Sequence, residues 1–248
     1  MNIVLLNMEE AASGRLPVDD HRAKHILEVL GITLGGRFYI GVIGGKRGLA
    51  TIQALDEKYI SWSVEWVEEM QKSLPWVLLV GLPRPQTARK ILQDVSSLGV
   101  QGIHFFVTEK GDPAYAQSSL WRDGEAEALL LKGAGQAFST LVPSLAVHSS
   151  LTEAIVAVGK NAYGQETKVF LDIYEAEVAL DAAVREASAA LVAVGPERGW
   201  SEKERGLLRQ HGYVGAHMGE RVLRVETACV AAGAVVLAAM GVWKRHQL

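Results

Sequence analysis

Two short stretches hold the residues whose types and spacing could do chemistry. Leu191-Val-Ala-Val-Gly-Pro-Glu-Arg-Gly-Trp200 is an apolar run broken at Gly195-Pro196, with Glu197, Arg198 and Gly199 following. His217-Met-Gly-Glu-Arg-Val-Leu-Arg-Val-Glu-Thr-Ala228 gathers Gly219, Arg221, Arg224 and Glu226 ahead of a nearly uncharged segment that ends near Trp243. Glycine in a loop lets a ligand approach the backbone, although each of Gly195, Gly199 and Gly219 could equally be a turn residue needing positive φ. An arginine can hold developing negative charge while a carboxylate takes a proton. The same Arg221, Arg224 and Glu226 could instead be a surface ion-pair cluster worth little, and Glu226 could simply favour a helix N-terminus.

Both stretches need elements to position them. The apolar run before Gly195 predicts a strand feeding a tight turn, and Ser201-Glu-Lys-Glu204 predicts a capping box that starts a helix. The segment behind Ala228 predicts a buried helix, because one with no polar face must be covered on every side. Two glycine-bearing loops at one sheet edge open on the crevice beyond the strand ends, where open α/β sheets bind ligands.

The rest of the chain supplies that sheet. Residues 1–72 predict a small β-rich module: a strand at Ile3–Leu6, a helix over His21–Leu30 capped by Asp19-Asp20 and stopped by Gly31, a hairpin of Phe38–Ile43 and Leu49–Leu55 around Gly44-Gly45, and an alternating strand from Tyr59 to Val67. After Lys72-Ser-Leu-Pro75 the pattern alternates strand and helix, which defines an α/β domain over 73–248 with a mainly parallel sheet. Strands are expected at Trp76–Val80, Ile103–Val107, Leu145–His148, Val169–Ile173 and Leu191–Val194. Ala88, Ile91, Leu92, Val95 and Leu98 mark a helix ending at Gly99, and Ser150-Leu-Thr-Glu153 is a second capping box.

Composition excludes several classes. The chain has 248 residues, 49% hydrophobic and 21% charged, with a net charge of -3, an ordinary globular balance without the basic excess usual in nucleic-acid modules. One cysteine, Cys229, excludes an internal disulfide and a multi-cysteine zinc site, and fits a reducing compartment. No metal is expected. The N-terminal run lacks a basic flank, and the apolar run from Ala228 falls short of the roughly 20 residues of a membrane span, so a cytoplasmic protein without membrane partners is expected. No G-x-G-x-x-G follows a strand, Gly45-Lys46 lacks the rest of a phosphate loop, and neither G-x-S-x-G nor H-E-x-x-H occurs.

Gly-Pro-Glu-x-Gly after a strand, followed by Gly-x-Arg-Val-Leu-Arg-x-Glu-Thr-Ala before the last helix, resembles the RsmE-type family, which methylates N3 of a uridine in 16S ribosomal RNA and belongs to the SPOUT superfamily. Leu98-Gly99-Val100, Gln136 and Pro143 extend the likeness over most of the chain. The resemblance implies a trefoil-knotted α/β methyltransferase domain behind a PUA-like, RNA-binding β-barrel at 1–72; the periodicity itself reveals no knot, and chains rarely thread loops. It implies S-adenosyl-L-methionine as cofactor, bent between the loops at Leu171, Gly195 and Met218, with Pro196, Gly199, Gly219, Arg221, Val222, Leu223 and Thr227 beside it. Arg224 and Glu226 become catalytic candidates, with Glu197 the other carboxylate that could serve as base. Arg22, Lys24 and His25 are RNA-binding candidates, equally readable as solvated surface charges; Arg84 and Arg198 could line an RNA path, though a solvated helix face is the readier reading of each. The implied partners are ribosomal RNA of the small subunit and a second copy of the chain.

Departures fall on the substrate side. Arg198 stands where relatives carry glycine, Gly31 where they carry an arginine linked to RNA, and Gly135, Ser139, Thr140, Asp94 and Ser97 replace other characteristic residues. A second reading follows, in which the chain is a non-catalytic or retargeted relative acting as an RNA-binding or ribosome assembly module.

Overall fold

The computed structural model describes residues 2–67, 71–159 and 166–243. The chain divides into two compact units, Met1–Lys72 with Leu131–Val142, and Ser73–Leu130 with Pro143–Leu248. The sequence-based division at residues 72/73 does not foresee the transfer of 131–142 to the first unit.

The first unit is a curled five-stranded sheet. Its strands β1 (Val4–Leu6), β2 (Arg15–Pro17), β3 (Arg37–Val42), β4 (Arg47–Leu55) and β5 (Tyr59–Val67) lie in the order β1-β3-β4-β5-β2, with β1 parallel to β3 and the other pairs antiparallel. Alternation in β5 sends Ile60 and Trp62 inward to a core shared with Leu6, Leu16, Ile26, Phe38, Ile40 and Ile52. Helix α1 (Met8–Ser13) and β2 are absent from the sequence reading, although Asn7 and Glu10 form a complete capping box. Helix α2 (His21–Lys24) starts at Asp20 and continues as a π-helical turn, His25–Val29, so the expected single helix is two pieces. Gly31 then takes φ +65°, a conformation that other residues adopt only with strain.

The segment from Leu131 to Val142 is built into this unit. The Gly135 carbonyl accepts the Ile3 N–H at 3.1 Å. Thr140 is fully buried; its N–H donates to Gln71 Oε1 at 2.7 Å and its hydroxyl to the Gly45 carbonyl at 2.8 Å. Thr140, one of the positions read as departures in the sequence, therefore serves packing within this unit.

The second unit is a seven-stranded parallel sheet of β6 (Trp76–Gly81), β7 (Gly102–Phe106), β8 (Ser144–His148), β9 (Glu166–Leu171), β10 (Val178–Ala179), β11 (Ala189–Val194) and β12 (Val214–His217), in the order β10-β12-β9-β11-β6-β7-β8. Strands β6, β7 and β11 are buried at every residue, as expected of central parallel strands covered on both faces. The helices are α3 (Pro85–Ser97), α4 (Glu125–Gln136), within which the division between units falls, α5 (Leu151–Gly159), α6 (Leu180–Val184), α7 (Glu202–Gln210) and α8 (Val225–Ala239). β10, α6 and β12 carry too few residues to register as patterns in the sequence.

Three local differences from expectation have physical reasons. Strand β9 stops at Leu171 rather than residue 173, because the Asp172 side chain accepts the Tyr174 N–H at 2.8 Å and turns the chain. Ser150 does accept the Glu153 N–H at 3.2 Å, but the Glu153 carboxylate returns to the N–H and hydroxyl of Ser149, one residue earlier than a capping box requires. Helix α8 packs on α3, α6 and β11, and Gly233 lets it approach so closely that a Cβ there would lie 2.6 Å from the Trp76 ring. It nevertheless buries only one face, Val225, Cys229, Ala232, Gly233, Val236 and Leu237; on the other, Thr227 and Ala238 are exposed and Ala231 and Ala234 half-buried. The expectation of a helix covered on every side is not met within one chain.

Candidate active site

Strands β12, β9 and β11 are adjacent and parallel, with Leu171 in register with Val194 on one side and Ala216 on the other. Their C-terminal ends therefore deliver Leu171, Gly195 and Met218 to one edge of the sheet, bringing together the three loops singled out in the sequence. The space outside the carboxyl ends of the strands is where open parallel sheets bind ligands.

The loop after β11 is held from all sides. Gly195 and Pro196 are buried, and a Cβ at Gly195 would lie 3.1 Å from the Trp200 indole, so the loop folds onto its own tryptophan. Trp200 Nε1 donates to the Leu171 carbonyl at 2.8 Å, tying this loop to the one after β9. The predicted capping box is present, with Ser201 Oγ accepting the Glu204 N–H and Glu204 Oε2 accepting the Ser201 N–H. The second Glu204 oxygen accepts the Glu109 N–H at 3.0 Å, and Lys110 Nζ donates to the Trp200 carbonyl at 2.7 Å, so the loop after β7 is tied in as well.

The loop after β12 is bare by comparison. Gly219 takes φ +88°, with open space where a Cβ would stand, and its N–H donates to His217 Nδ1 at 3.2 Å. The backbone N–H groups of Arg221, Val222 and Leu223 find no acceptor among the described residues, and Val222 is 76% exposed. Backbone donors beside exposed apolar side chains suit a nucleoside, which offers ring nitrogens to amides and a flat face to aliphatic groups. These residues fit an adenosyl cofactor.

Arg224 is the N-cap residue of α8 and is exposed. Glu226, in the first turn, accepts a hydrogen bond from Lys90 Nζ of α3 at 3.2 Å. A hydrogen bond from its own backbone N–H, opposed by partial burial and aided by Lys90 and Arg224, holds its carboxyl below the usual carboxylate range. Glu197 is exposed and its Oε1 accepts the Arg84 N–H at 3.1 Å, at the residue that caps α3. Both carboxylates thus rest against α3, one at its start and one a turn and a half along. Thr227 is exposed on α8, one residue beyond Glu226, while Gly199, at φ +66°, and Arg198 lie on the turn after Glu197.

The basic candidates separate by their surroundings. Arg22 is bonded to Glu10 at 2.6 Å, to Asp20 at 2.8 Å and to the Leu5 carbonyl at 3.1 Å, so its guanidinium is engaged inside the first unit. Lys24, Arg84 and Arg198 are exposed, and His25 is half-buried with an unpaired Nε2 among the described residues. Sequence reasoning assigned no role to Asp172, Trp200 or Arg205. The Ser201–Glu204 spacing did announce the cap, but nothing local announces that Glu204 also reaches residue 109.

A parallel sheet with three loops meeting at adjacent strand ends, followed by a helix that returns against α3 and α6, fits the SPOUT-type knotted α/β fold that the sequence resemblance implies, here preceded by a PUA-like curled sheet. A family model described as an RNA methyltransferase domain matches residues 70–237. The chain is 38% identical over 250 aligned positions to the ribosomal RNA small subunit methyltransferase E of Treponema pallidum, covering 99% of this chain and 94% of that one. It is 28% identical to ribosomal RNA small subunit methyltransferase E 1 of Borreliella burgdorferi, over 95% and 97%. Its fold matches the crystal structure of a ribosomal RNA small subunit methyltransferase E from Neisseria gonorrhoeae bound to S-adenosyl methionine, with a TM-score of 0.75 at 21% identity, covering 95% and 97% of the two chains. The chain belongs to the RsmE-type family of ribosomal RNA small subunit methyltransferases.

Proposed function

We propose that this protein transfers a methyl group from S-adenosyl-L-methionine to N3 of a uridine in small-subunit ribosomal RNA. The observation that carries the reading is the convergence of Leu171, Gly195 and Met218 at adjacent strand ends, with Arg224 and Glu226 on the helix that leaves the third of those loops. Backbone groups at Leu171, Gly195, Pro196, Gly199, Met218 and Gly219, together with Arg221, Val222, Leu223 and Thr227, hold the cofactor. Bound there, S-adenosyl-L-methionine supplies an electrophilic methyl group on a sulfonium.

The protein's own residues do the rest. Uridine N3 must lose a proton before it can attack, leaving negative charge shared with O2 and O4. Arg224 stabilises that charge, and a carboxylate takes the proton. Glu226 is the candidate base placed nearest to Arg224, in the first turn of the helix that Arg224 caps, whereas Glu197 accepts the N–H at the start of α3; the hydrogen bonds that keep Glu226 ionised also lower its basicity. Lys24, His25, Arg84 and Arg198 bind RNA phosphates, while Arg22 serves the fold of its own unit.

The reading as a non-catalytic assembly module is not favoured, and three of the departures that prompted it have places in the fold of the first unit. Gly135 and Thr140 pack within the first unit, and Gly31 occupies a left-handed helix stop. The uncovered face of α8, Thr227, Ala231, Ala234 and Ala238, fits a second copy of the chain, and a cytoplasmic homodimer is the proposed state; light scattering that gives a monomer mass at micromolar concentration would contradict it. Among the described residues no helix is long and apolar enough to cross a membrane.

The reaction is tested by incubating the protein with S-adenosyl-L-methionine and unmodified small ribosomal subunits, then analysing the RNA nucleosides by mass spectrometry. The expected product is 3-methyluridine. Methylation of a different base, or none, overturns the assignment.

A further inference from the structure

A buried ion pair lies at the end of β9 and belongs to none of the groups considered so far. Asp172 follows Leu171 at the end of β9, and its side chain is only 2% exposed. One of its oxygens accepts the Tyr174 N–H at 2.8 Å, and its own N–H donates to the Ala216 carbonyl of β12 at 3.0 Å. Its other oxygen takes Arg205 Nε of α7 at 2.5 Å, with the arginine side chain 13% exposed. Arg205 also reaches Glu175 at 3.4 Å, and Arg209, one turn on, holds the same carboxylate at 2.7 Å. Burial opposes the charge on Asp172, but Arg205 and the backbone donors hold its carboxyl below the usual carboxylate range.

Position gives this pair its consequence. Leu171 offers its carbonyl to Trp200, and it ends the strand that lies between those leading to Gly195 and Met218. Asp172 is the next residue, so anything that fixes Asp172 fixes the direction in which the Leu171 backbone points. Arg205 stands next to Glu204, which joins the loops after β7 and β11. Two adjacent residues of one helical turn therefore hold three loops, Glu204 on one side and Arg205 on the other.

We propose that Arg205 is a positioning residue for the cofactor: through Asp172 it presets the loop after β9 in the binding geometry, so that ordering is not paid for on binding. The inference rests on the reading of the crevice as the S-adenosyl-L-methionine site. A charge-assisted hydrogen bond of this kind is strong and directional, and a buried carboxylate left without its partner reorients or is protonated.

The experiment measures S-adenosylhomocysteine affinity by calorimetry, together with kcat and the KM for S-adenosyl-L-methionine. Arg205→Ala should weaken affinity and raise KM on the order of tenfold, the scale of one charge-assisted hydrogen bond, with kcat at saturation within about twofold of wild type. Arg205→Lys should recover part of the loss, and Arg185→Ala, which breaks only a surface pair with Asp181, should change nothing. A folded Arg205→Ala protein with unchanged affinity overturns the proposal. If Arg205→Ala does not fold, Glu175→Gln, which loosens the outer arm, should weaken affinity in the same direction, and an unchanged affinity there overturns it equally. No binding by the wild type would refute the cofactor reading itself, a distinct outcome.

Discussion

The loop after β11 and the loop after β12 flank one crevice and are built in opposite ways. The first is cross-braced: Trp200 is bonded to the Leu171 carbonyl, Glu204 joins residues 109 and 201, and Lys110 closes on the Trp200 carbonyl. The second leaves three consecutive backbone N–H groups, from Arg221 to Leu223, without partners among the described residues, next to an exposed Val222. A wall that must hold its shape has its hydrogen bonds made internally; a wall that receives a ligand keeps donors available for it. The residues proposed to act in catalysis follow the open wall, since Arg224 caps and Glu226 begins the helix into which that loop runs.

Four expectations test this division, and the largest effect is catalytic. Arg224→Ala should lower turnover by roughly 100-fold or more, the scale of removing one preorganised charge stabiliser, with cofactor affinity little changed. Methyl transfer to small subunits that survives the change would remove Arg224 from the chemistry. Gly219→Val comes next: a β-branched residue at φ +88° is strained, and its side chain enters the open space the ligand needs. Wild type should gain thermal stability with S-adenosylhomocysteine, by preferential binding to the folded state, and the variant should not. An equal gain in both would show that the open loop is not part of the site.

How much of this was legible in the sequence differs between the same two loops. Gly195-Pro196, the Ser201–Glu204 cap and the Gly219–Thr227 motif are local patterns, and the strands that carry them are apolar runs, so fold class and crevice were readable together. Asp172, Trp200 and Arg205 were not, because their partners lie 29 to 33 residues away in the chain and meet only when β9 and α7 are assembled. The departures misled for a related reason. Thr140 reads as a departure from the family pattern in a list of residues, but it is a fully buried hydrogen-bonding residue once Gly45 and Gln71 are beside it. Helix α8 was legible in existence but not in bounds or cover: it runs from Val225 to Ala239 rather than from Ala228 to near Trp243, and the apolar face that its own chain leaves open cannot be told from a buried one by composition.

A smaller effect addresses the braced loop. Trp200→Phe keeps the ring but removes the donor to the Leu171 carbonyl, leaving that acceptor unpaired near a buried ring; a loss of about threefold to tenfold in cofactor affinity is expected, the scale of one neutral hydrogen bond. Calorimetry showing unchanged affinity would mean that the brace is redundant.

The smallest effect should leave the crevice untouched. On β7 and β8, His104 and His148 are stacked, with ring nitrogens 3.0 Å apart, and Glu153 lies 3.9 Å from His148. Burial, reinforced by His148, depresses the His104 imidazole to about 4. The unfolded chain therefore binds a proton that the folded protein refuses, and stability falls as pH drops from about 6.5 to about 4, by at most about 1.4 kcal/mol per pH unit from this group. Urea unfolding at several pH values should show a shallower decline for His104→Gln than for wild type, and parallel curves would contradict it.

The central claim is that the open loop after β12 is completed by the cofactor. Amide hydrogen exchange with and without S-adenosylhomocysteine reads this directly. Strong added protection is expected at Arg221, Val222 and Leu223, with little change in residues 200–205, whose bonds are already made. Protection elsewhere with none at 221–223, or protection at 200–205 alone, would contradict it.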